Sequence, residues 1–324
     1  MSFKDLKIQA IVADIGGTFA RFSRVNLENL VMDKIEIYSC AAYPSIESVI
    51  LEYQAKHQLQ DIRYLVLAVA CPVLDDLICM TNANWRFSIH ELKQKLDFDD
   101  LKVLNDFNAI AMSLPFLSEH QTLQIGRGTV DRKGAKAVLG AGTGLGVAFL
   151  MPHDEGYSAQ AGEGGHVSWG AKNEQEWFIY SYLKKKYEHV SYERLLSGHG
   201  LENLYQALAA FHQVEKAYAP ASEITILAVE QRCSIAEAAV AQFFAILGSY
   251  AGDLALIFAA FGGVYIAGGI VPRLIPLLQG SHFRARFEEK GRFKPFNSKI
   301  PTFVITAEQP GILGAAVYLK QKFI

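Results

Sequence analysis

Residues 136–151 read KAVLGAGTGLGVAFLM, which is an apolar run, a glycine-rich turn and a second apolar run. Residues 7–27, KIQAIVADIGGTFARFSRVNL, have the same layout around a Gly-Gly pair. Such runs predict strands over residues 7–14, 18–27, 136–141 and 145–151, joined as two hairpins. Each hairpin precedes alternating strand and helix patterns. The sequence therefore predicts an α/β protein with two related domains that face a shared cleft, where a small molecule would bind.

The composition limits the possible functions. A chain of 324 residues with 51% hydrophobic content is long enough for two cores. The net charge of −2 and the absence of a dense basic block argue against nucleic acid as a partner. The four cysteines form no C-x-x-C pair, which argues against a zinc or thioredoxin-type site and fits a cytoplasmic protein. The N-terminal residues do not have the pattern of a signal peptide.

Residues 254–272 are uncharged, and the run is long enough for a membrane span. Two Gly-Gly pairs, at 262–263 and 268–269, interrupt it. We therefore predict a helix end, a turn and a short strand over Val264–Ala267, and no membrane association.

The remaining elements follow from periodicity and end signals. Capping-box patterns at Ser88 and Ser234 each place a Glu three residues later. We predict helices over residues 45–56, 91–96, 106–114, 174–186, 192–196, 200–211, 234–260 and 312–322. We predict further strands over residues 64–70, 102–104 and 301–306.

The D-x-G-G-T stretch, with Asp14, Gly16, Gly17 and Thr18, places a carboxylate at a strand end beside a turn without side chains. Glycine allows backbone N–H groups to approach phosphate oxygens, and Thr18 adds a hydroxyl donor. Asp14 is a candidate Mg²⁺ ligand, directly or through water. The alternative is a plain hairpin turn with a capping Asp.

The second turn carries Gly140, Gly142, Thr143 and Gly144. So many glycines weaken a strand, so they indicate close backbone approach to an anion, or else a bulged strand. The stretch lacks the Gly-Lys-Ser/Thr ending of a P-loop and does not match the dinucleotide-binding G-x-G-x-x-G pattern. Both of those classes are disfavoured.

Asn105 and Asp106 stand where a predicted strand ends and a helix begins. The carboxylate of Asp106 suits a general base that accepts the proton of an attacking hydroxyl, and Asn105 would orient the same substrate. The alternative is that Asp106 is a helix N-cap.

Glu163 and His166 lie three residues apart in the glycine-flanked stretch GEGGH. Together with Asn105 and Asp106 they suit a polyhydroxyl ligand. Glu163 and His166 are too few for a metal site.

Glu193 lies directly before Arg194, and the residues alone favour an ion pair with Arg194 or exposure to solvent over a role in ligand binding. Gly268-Gly269 closes a strand, either as a tight turn or as a loop beneath a ring or phosphate.

In combination these motifs resemble the bacterial glucokinase family. The resemblance rests on DIGGTFAR (14–21), LNDF (104–107), GAGTGLG (140–146), GEGGHV (162–167), HVSYERLLSG (189–198), FGGVYIAGGIVPR (261–273) and PGILG (310–314). It runs from the first strand to the last helix in family order. Residues 167–200 contain no cysteine, so the group with a structural zinc is excluded. Phe19 departs from the family's usual Asn.

The resemblance implies an actin-like ATPase (ribonuclease H-like) fold, with a small domain over 1–116 plus 307–324 and a large domain over 117–306. It implies ATP-dependent phosphorylation of D-glucose at O6 by a homodimer, with Mg²⁺. Asp106 would be the catalytic base. The sugar ligands would be Asn105, Asp106, Glu163, His166 and Glu193. The phosphate and nucleotide contacts would be Asp14, Gly16, Gly17, Thr18, Gly140, Gly142, Thr143, Gly144, Gly268 and Gly269.

Three alternatives to glucose phosphorylation remain at this stage. One is a kinase of the same fold for another hexose or an N-acetylhexosamine. A second is a sugar-sensing regulator without turnover, which the intact Asp106 and the short segment before the first strand disfavour. The third is an actin-like polymer, against which the sugar-site cluster argues.

Overall fold

The computed structural model describes residues 8–80, 85–154, 156–215 and 218–323. The chain divides into two compact units. The first unit comprises the residues up to Leu117, the segment His153–Gln160 and the residues from Ala307 onward. The second unit comprises Ser118–Pro152 and Ala161–Thr306. Nothing in the sequence indicated that His153–Gln160 would group with the first unit.

The described residues form thirteen strands. They are β1 (Gln9–Ile15), β2 (Phe19–Asn26), β3 (Met32–Ser39), β4 (Tyr64–Val69), β5 (Leu77–Cys79), β6 (Arg86–Ser88), β7 (Asp100–Asn105), β8 (Thr122–Ile125), β9 (Lys136–Ala141), β10 (Leu145–His153), β11 (Gly156–Gly162), β12 (Val264–Ala267) and β13 (Thr302–Ile305).

Eleven α-helices alternate with these strands in the same residues. They are α1 (Ile46–His57), α2 (Ile89–Lys95), α3 (Asp106–Ser113), α4 (Glu174–Lys184), α5 (Gly198–Phe211), α6 (Ala221–Val229), α7 (Ser234–Phe258), α8 (Ile275–Leu278), α9 (Phe283–Glu288), α10 (Lys294–Asn297) and α11 (Pro310–Lys320).

The two main sheets share one topology. The first has the order β3-β2-β1-β4-β7, in which β1 pairs antiparallel with β2 and parallel with β4. The second has the order β11-β10-β9-β12-β13-β8, in which β9 pairs antiparallel with β10 and parallel with β12. Apart from β8, each sheet thus places its strands in the order third, second, first, fourth, fifth. This is the structural form of the repeat that the two glycine hairpins indicated.

The first sheet is covered on both faces, and β1 shows how. Alternate residues of a strand point to opposite faces. Ile11 and Ala13 pack in the cluster that contains Ile46 of α1. Ala10 and Val12 pack in the cluster of α3 and α11.

Helices α3 and α11 pack very closely. A Cβ at Gly314 would lie 1.6 Å from the carbonyl oxygen of Ala109, so no side chain fits there. This contact anchors the C-terminal helix against the helix that begins at Asp106.

The core of the second unit is built around α7, which is buried along most of its length. Among the described residues α7 is the one helix long and apolar enough to cross a membrane, and its most apolar stretch is 78% buried within the protein. The uncharged run 254–272 forms the end of α7, a turn, β12 and the Gly268-Gly269 turn, as predicted.

Several element predictions need correction. The first strand begins at Gln9, and Lys7 lies outside the described residues. The residue before α7 is Cys233, whose side chain makes no capping bond, so the capping box predicted at Ser234 is wrong. The segment predicted as a helix over 192–196 is a short 3₁₀ turn, Tyr192–Arg194. Strands β3, β5, β6, β8 and β11 and helices α6, α8, α9 and α10 were not predicted.

Candidate active site

In the first unit, the predicted acidic residues lie at one edge of the sheet. Strands β1, β4 and β7 are parallel, so their carboxyl ends meet. Asp14 is the penultimate residue of β1, and Asp106 follows the last residue of β7. The turn after β1 is closed by a hydrogen bond from Gly16 N to Phe19 O of 3.0 Å.

Asn105, not Asp106, is the N-cap of α3. Asn105 Oδ1 accepts from Phe107 N at 2.9 Å and from Asn108 N at 3.4 Å, and Asn105 Nδ2 donates to Cys71 O at 3.3 Å. The capping interpretation of Asp106 is therefore wrong, because its neighbour supplies the cap. The Asn105 amide is engaged with backbone on both sides, and its role as a sugar ligand stays a prediction.

The Asp106 carboxyl is half-buried, and its Oδ1 accepts a hydrogen bond from Phe107 N at 2.9 Å. Burial and, next, the negative charge of Asp14 raise the pKa of Asp106 to about 6, although the Phe107 bond acts in the opposite direction. A carboxyl with a pKa near 6 is a stronger base than an ordinary aspartate and remains ionised at neutral pH.

Burial also raises the pKa of Asp14, while Arg21 opposes the shift. Arg21 Nη1 lies 4.0 Å from Asp14 Oδ2, so this ion pair is loose. Two neighbouring carboxyl groups, Asp14 and Asp106, thus have raised pKa values. A cation bound beside them would reduce the repulsion between their negative charges. The described residues contain no cluster of three or more His, Cys, Asp or Glu side chains suited to a metal ion, so a cation here would take most of its ligands from water and substrate.

In the second unit, the glycine-rich turn joins β9 and β10 without a bulge. Gly142 N donates to Gly144 O at 2.9 Å, and Gly146 pairs with Gly140 in regular register. A Cβ at Gly142 would meet nothing within 4 Å. The turn is therefore open on one side, as a ligand contact requires.

Gly268 lies beside this turn because β12 is parallel to β9, with Ala267 opposite Gly140. Its φ is +86°, and a Cβ would lie 2.3 Å from the Ala141 carbonyl oxygen. Only glycine suits this position. The two predicted nucleotide-contact stretches, 140–144 and 268–269, are thus neighbours.

Glu193 connects the glycine turn to the predicted sugar ligands. Glu193 Oε2 accepts from Leu145 N at 2.9 Å, and a Cβ at Gly144 would lie 2.7 Å from the same oxygen. Pairing of Glu193 with Arg194, the plainer interpretation of the sequence, is not what the structure shows: the Arg194 guanidinium packs over the Tyr187 ring at 4.2 Å.

The imidazole of His166 lies between two carboxylates. His166 Nε2 is 4.0 Å from Glu163 Oε2 and 4.0 Å from Glu193 Oε2. Neither distance is a hydrogen bond, so the His166 imidazole does not occupy the carboxylates of Glu163 and Glu193. Glu193 is the most enclosed of the three, with its side chain 25% exposed, against 58% for His166 and 69% for Glu163.

Sequence reasoning missed Tyr192, which holds the two ligand stretches together. Tyr192 N donates to Val167 O at 3.1 Å, its ring stacks on Tyr250 at 4.1 Å, and its hydroxyl donates to Asp253 Oδ2 at 2.9 Å. Tyr192 precedes Glu193, and its bond to Val167, which follows His166, holds the two stretches next to each other. Its position directly before Glu193 was the available signal.

Sequence reasoning also missed a pocket of about 280 Å³ next to the glycine turn. Gly142 and Thr143 form one side, Gly198 and Ser222 begin the helices α5 and α6 on another, and Ile270 follows Gly268-Gly269. Apart from Gly198, which ends the stretch HVSYERLLSG, the lining residues of α5 and α6 lie outside the quoted motifs, so only the fold identifies them. We call this the turn pocket.

The chain is similar to known glucokinases over nearly its whole length. The glucokinase family model matches residues 11–322. A glucokinase of Photorhabdus laumondii subsp. laumondii is 44% identical over 317 residues, covering 98% of each chain. The crystal structure of a glucokinase from an Antarctic psychrotroph has a TM-score of 0.89 at 35% identity, covering 96% of this chain and 98% of that one.

A more distant structure bears on the fold alone. A ROK-family glucokinase from Streptomyces griseus, solved in complex with glucose and AMPPNP, has a TM-score of 0.64 at 18% identity. It covers 95% of this chain and 98% of that one. The two α/β units therefore have the actin-like ATPase fold of sugar kinases, and the chain belongs to the glucokinase family.

Proposed function

We propose that the protein transfers the γ-phosphoryl group of ATP to O6 of D-glucose and releases glucose 6-phosphate and ADP. The observation that carries this proposal is the position of Glu193. One of its oxygens accepts from the glycine turn at Leu145, and the same oxygen lies 4.0 Å from His166. The Glu193 carboxylate thus lies between the glycine turn, which is proposed to bind phosphate, and His166, which is proposed to bind sugar hydroxyl groups.

In the proposed mechanism Asp106 is the base. Its carboxylate accepts the proton of the 6-hydroxyl as the phosphoryl group is transferred. Glu163, His166 and Glu193 hold the other hydroxyl groups through hydrogen bonds. Asn105 adds a sugar contact if its amide exchanges one of its backbone bonds.

The phosphate contacts are assigned to the two glycine turns. Backbone amides around Gly16, Gly17 and Gly142, with the hydroxyls of Thr18 and Thr143, would stabilise the charge on the phosphate oxygens. Mg²⁺ would fit beside Asp14, bound directly or through water. The pKa values of Asp14 and Asp106 are raised, and the positive charge of the ion would favour the ionised form of both carboxyl groups. When bound, the ion would neutralise charge on the ATP phosphates.

The turn pocket is assigned to the adenosine of ATP. It opens beside Gly142 and Ile270, next to the proposed phosphate contacts, and its volume suits a small organic group. Gly269 also has free space, since a Cβ there would meet nothing within 4 Å.

Two glycine substitutions should separate binding from folding. Gly142→Ala meets no atom of the protein, so we expect a change in the free energy of unfolding within about 1 kcal/mol. Its methyl group would obstruct the phosphates, so KM for ATP should rise about tenfold or more.

Gly268→Ala should instead destabilise the protein by about 1–3 kcal/mol, because Gly268 has a positive φ and a Cβ there would clash with Ala141. Urea denaturation and steady-state kinetics measure both effects, and an unchanged KM for ATP in Gly142→Ala would refute the phosphate assignment of that turn.

The pH dependence should report Asp106. Its pKa is raised to about 6, so below that pH the carboxyl is protonated and cannot act as a base. We expect kcat/KM for glucose to be constant above pH 7 and to fall tenfold per pH unit below about 6. A profile that stays flat down to pH 4.5, measured with saturating MgATP on protein that remains folded, would contradict the assignment.

The proposed reaction is tested by a substrate panel. ADP formation is measured with glucose, mannose, fructose, N-acetylglucosamine and N-acetylmannosamine as acceptors. We expect the highest kcat/KM for glucose. A higher value for another sugar would assign the protein to a kinase of different specificity, and no turnover with any sugar would favour a sugar-binding regulator.

We further propose that the protein is a cytoplasmic homodimer. The support for the dimer is the family resemblance, and the support for the cytoplasm is the sparse, unpatterned cysteine content. The chain mass is 35.8 kDa. Sedimentation equilibrium at micromolar concentration should give twice that mass, and the single-chain mass would exclude the dimer.

A further inference from the structure

A second pocket, of about 300 Å³, lies in the same unit and shares His199 and Glu202 with the turn pocket. Its other walls are Lys186, Tyr187 and Arg194 on one side and the α5 residues Asn203 and Gln206 on the other, with Tyr218 completing it. We call it the cationic pocket. The reaction proposed above assigns it no role.

The two cations of this pocket lack acidic partners. The Arg194 guanidinium packs over the Tyr187 ring at 4.2 Å, and Lys186 Nζ lies 5.1 Å from the centre of the same ring. Among the ion pairs of the described residues, none joins either side chain to a carboxylate. The cations are therefore gathered by packing and remain available to an anion.

The acceptors around the pocket are already used. Glu202 accepts from Ala221 N at 3.1 Å and contacts His199 Nδ1 at 3.0 Å. Asn203 Oδ1 accepts from Lys186 Nζ and from the Tyr187 hydroxyl, each at 3.3 Å. Gln206 Nε2 is buried and has no hydrogen-bond partner. Donors thus outnumber free acceptors, which favours a ligand rich in acceptor atoms.

The charges of Lys186 and Arg194 act on the Tyr187 hydroxyl. Burial alone would raise the pKa of the Tyr187 hydroxyl, yet its hydrogen bonding with Lys186 and Asn203 and the charges of Lys186 and Arg194 lower that pKa overall. A field that favours a phenolate also favours a bound anion.

We propose that the cationic pocket binds the phosphate group of a small phosphate monoester. Arg194 can donate two parallel bonds to phosphate oxygens, and Lys186 adds a point charge. The volume lies at the low end for small-molecule sites, which suits a compound of a few carbons.

The pocket is connected to both predicted substrate sites. Asn203 Nδ2 donates to Arg194 O at 3.0 Å, and Arg194 directly follows Glu193. On its other side, His199 and Glu202 also form part of the turn pocket. A phosphate monoester bound here is therefore placed to act as an effector rather than as a substrate.

Isothermal titration calorimetry with glycerol 3-phosphate tests the proposal. The protein is first saturated with glucose and AMPPNP, so that the proposed reaction site is occupied. We expect saturable binding with a Kd below about 1 mM, and no binding of glycerol. Arg194→Gln should weaken binding by about tenfold or more, and Lys186→Gln by about threefold or more. Lys185→Gln, an exposed neighbour that does not line the pocket, should bind within about twofold of the wild type.

Binding is measured without turnover, so its outcome is separate from that of the proposed reaction. The absence of saturable heat up to about 10 mM would overturn the proposal. So would wild-type affinity in Lys186→Gln, which concerns an exposed side chain and should fold normally even if Arg194→Gln does not. Circular dichroism confirms the fold of each variant.

Discussion

Asp106→Asn should lower kcat for glucose phosphorylation by a factor of about 10²–10⁴, the usual range for the loss of a positioned base. The amide keeps the size of the side chain and can still accept from Phe107 N, so binding of glucose and ATP should change little. The loss should therefore appear in kcat rather than in KM.

The same substitution should stabilise the protein at neutral pH. The folded-state pKa of Asp106, about 6, lies above its ordinary value of 3.8. Ionisation of this group therefore destabilises the folded state as the pH rises from about 4 to above 6. Asp106→Asn removes that cost, and the free energy of unfolding at pH 8 should rise by about 1–3 kcal/mol. Near pH 3.5 the gain should disappear, since the aspartic acid is then neutral as well.

Urea denaturation at the two pH values measures the stability effect, and coupled ADP detection measures kcat. Asp61→Asn, an exposed carboxylate in the same unit, is the matched control and should change neither quantity. A protein that loses both activity and stability on Asp106→Asn would indicate a structural role for this carboxylate and not a catalytic one.

Glu193→Gln should raise KM for glucose about 10- to 100-fold. The amide oxygen can keep the bond to Leu145 N, so the glycine turn should hold its shape and KM for ATP should change little. What is lost is the negative charge that accepts from sugar hydroxyls. Glu163→Gln should also raise KM for glucose and weaken discrimination at the hydroxyl that it holds, but by less, because Glu163 is more exposed.

Steady-state kinetics with each substrate varied in turn measures the Glu193 effect. Glu188→Gln serves as the control, because Glu188 is exposed and close in sequence. If KM for ATP rises as much as KM for glucose, Glu193 supports the phosphate turn and is not a sugar ligand.

Much of the fold was predictable because local signals agreed with the tertiary structure. The strands at 136–141 and 264–267 were predicted with accurate ends, since the apolar runs there stop at glycine. The two glycine hairpins were also predicted, although the ends of their other strands differ. Strand β3 was missed, although Met32–Ser39 alternates in exposure as an edge strand should. Helix α6 begins at Ala221, and its N-cap residue, Pro220, provides no side-chain hydrogen bond, so the sequence gave no start signal.

The candidate site was predictable where residues in one motif share one location. Glu163 and His166 are neighbours in a single turn, and sequence spacing sufficed to group them. The bond between Glu193 and Leu145 spans 48 positions and depends on how the turn at 192–194 packs, which no local pattern encodes. The sequence also does not show which of Asn105 and Asp106 is the N-cap of α3, because both residue types suit that position.

Rapid-quench measurement of a single turnover tests directly whether Asp106 is the base in phosphoryl transfer. Wild-type protein and Asp106→Asn are mixed at saturating glucose and MgATP, and the formation of glucose 6-phosphate is followed at pH 7.5. We expect glucose 6-phosphate in both cases, formed about 10²–10⁴ times more slowly by Asp106→Asn, with unchanged affinities for glucose and nucleotide. Equal single-turnover rates in the two folded proteins would contradict this role of Asp106.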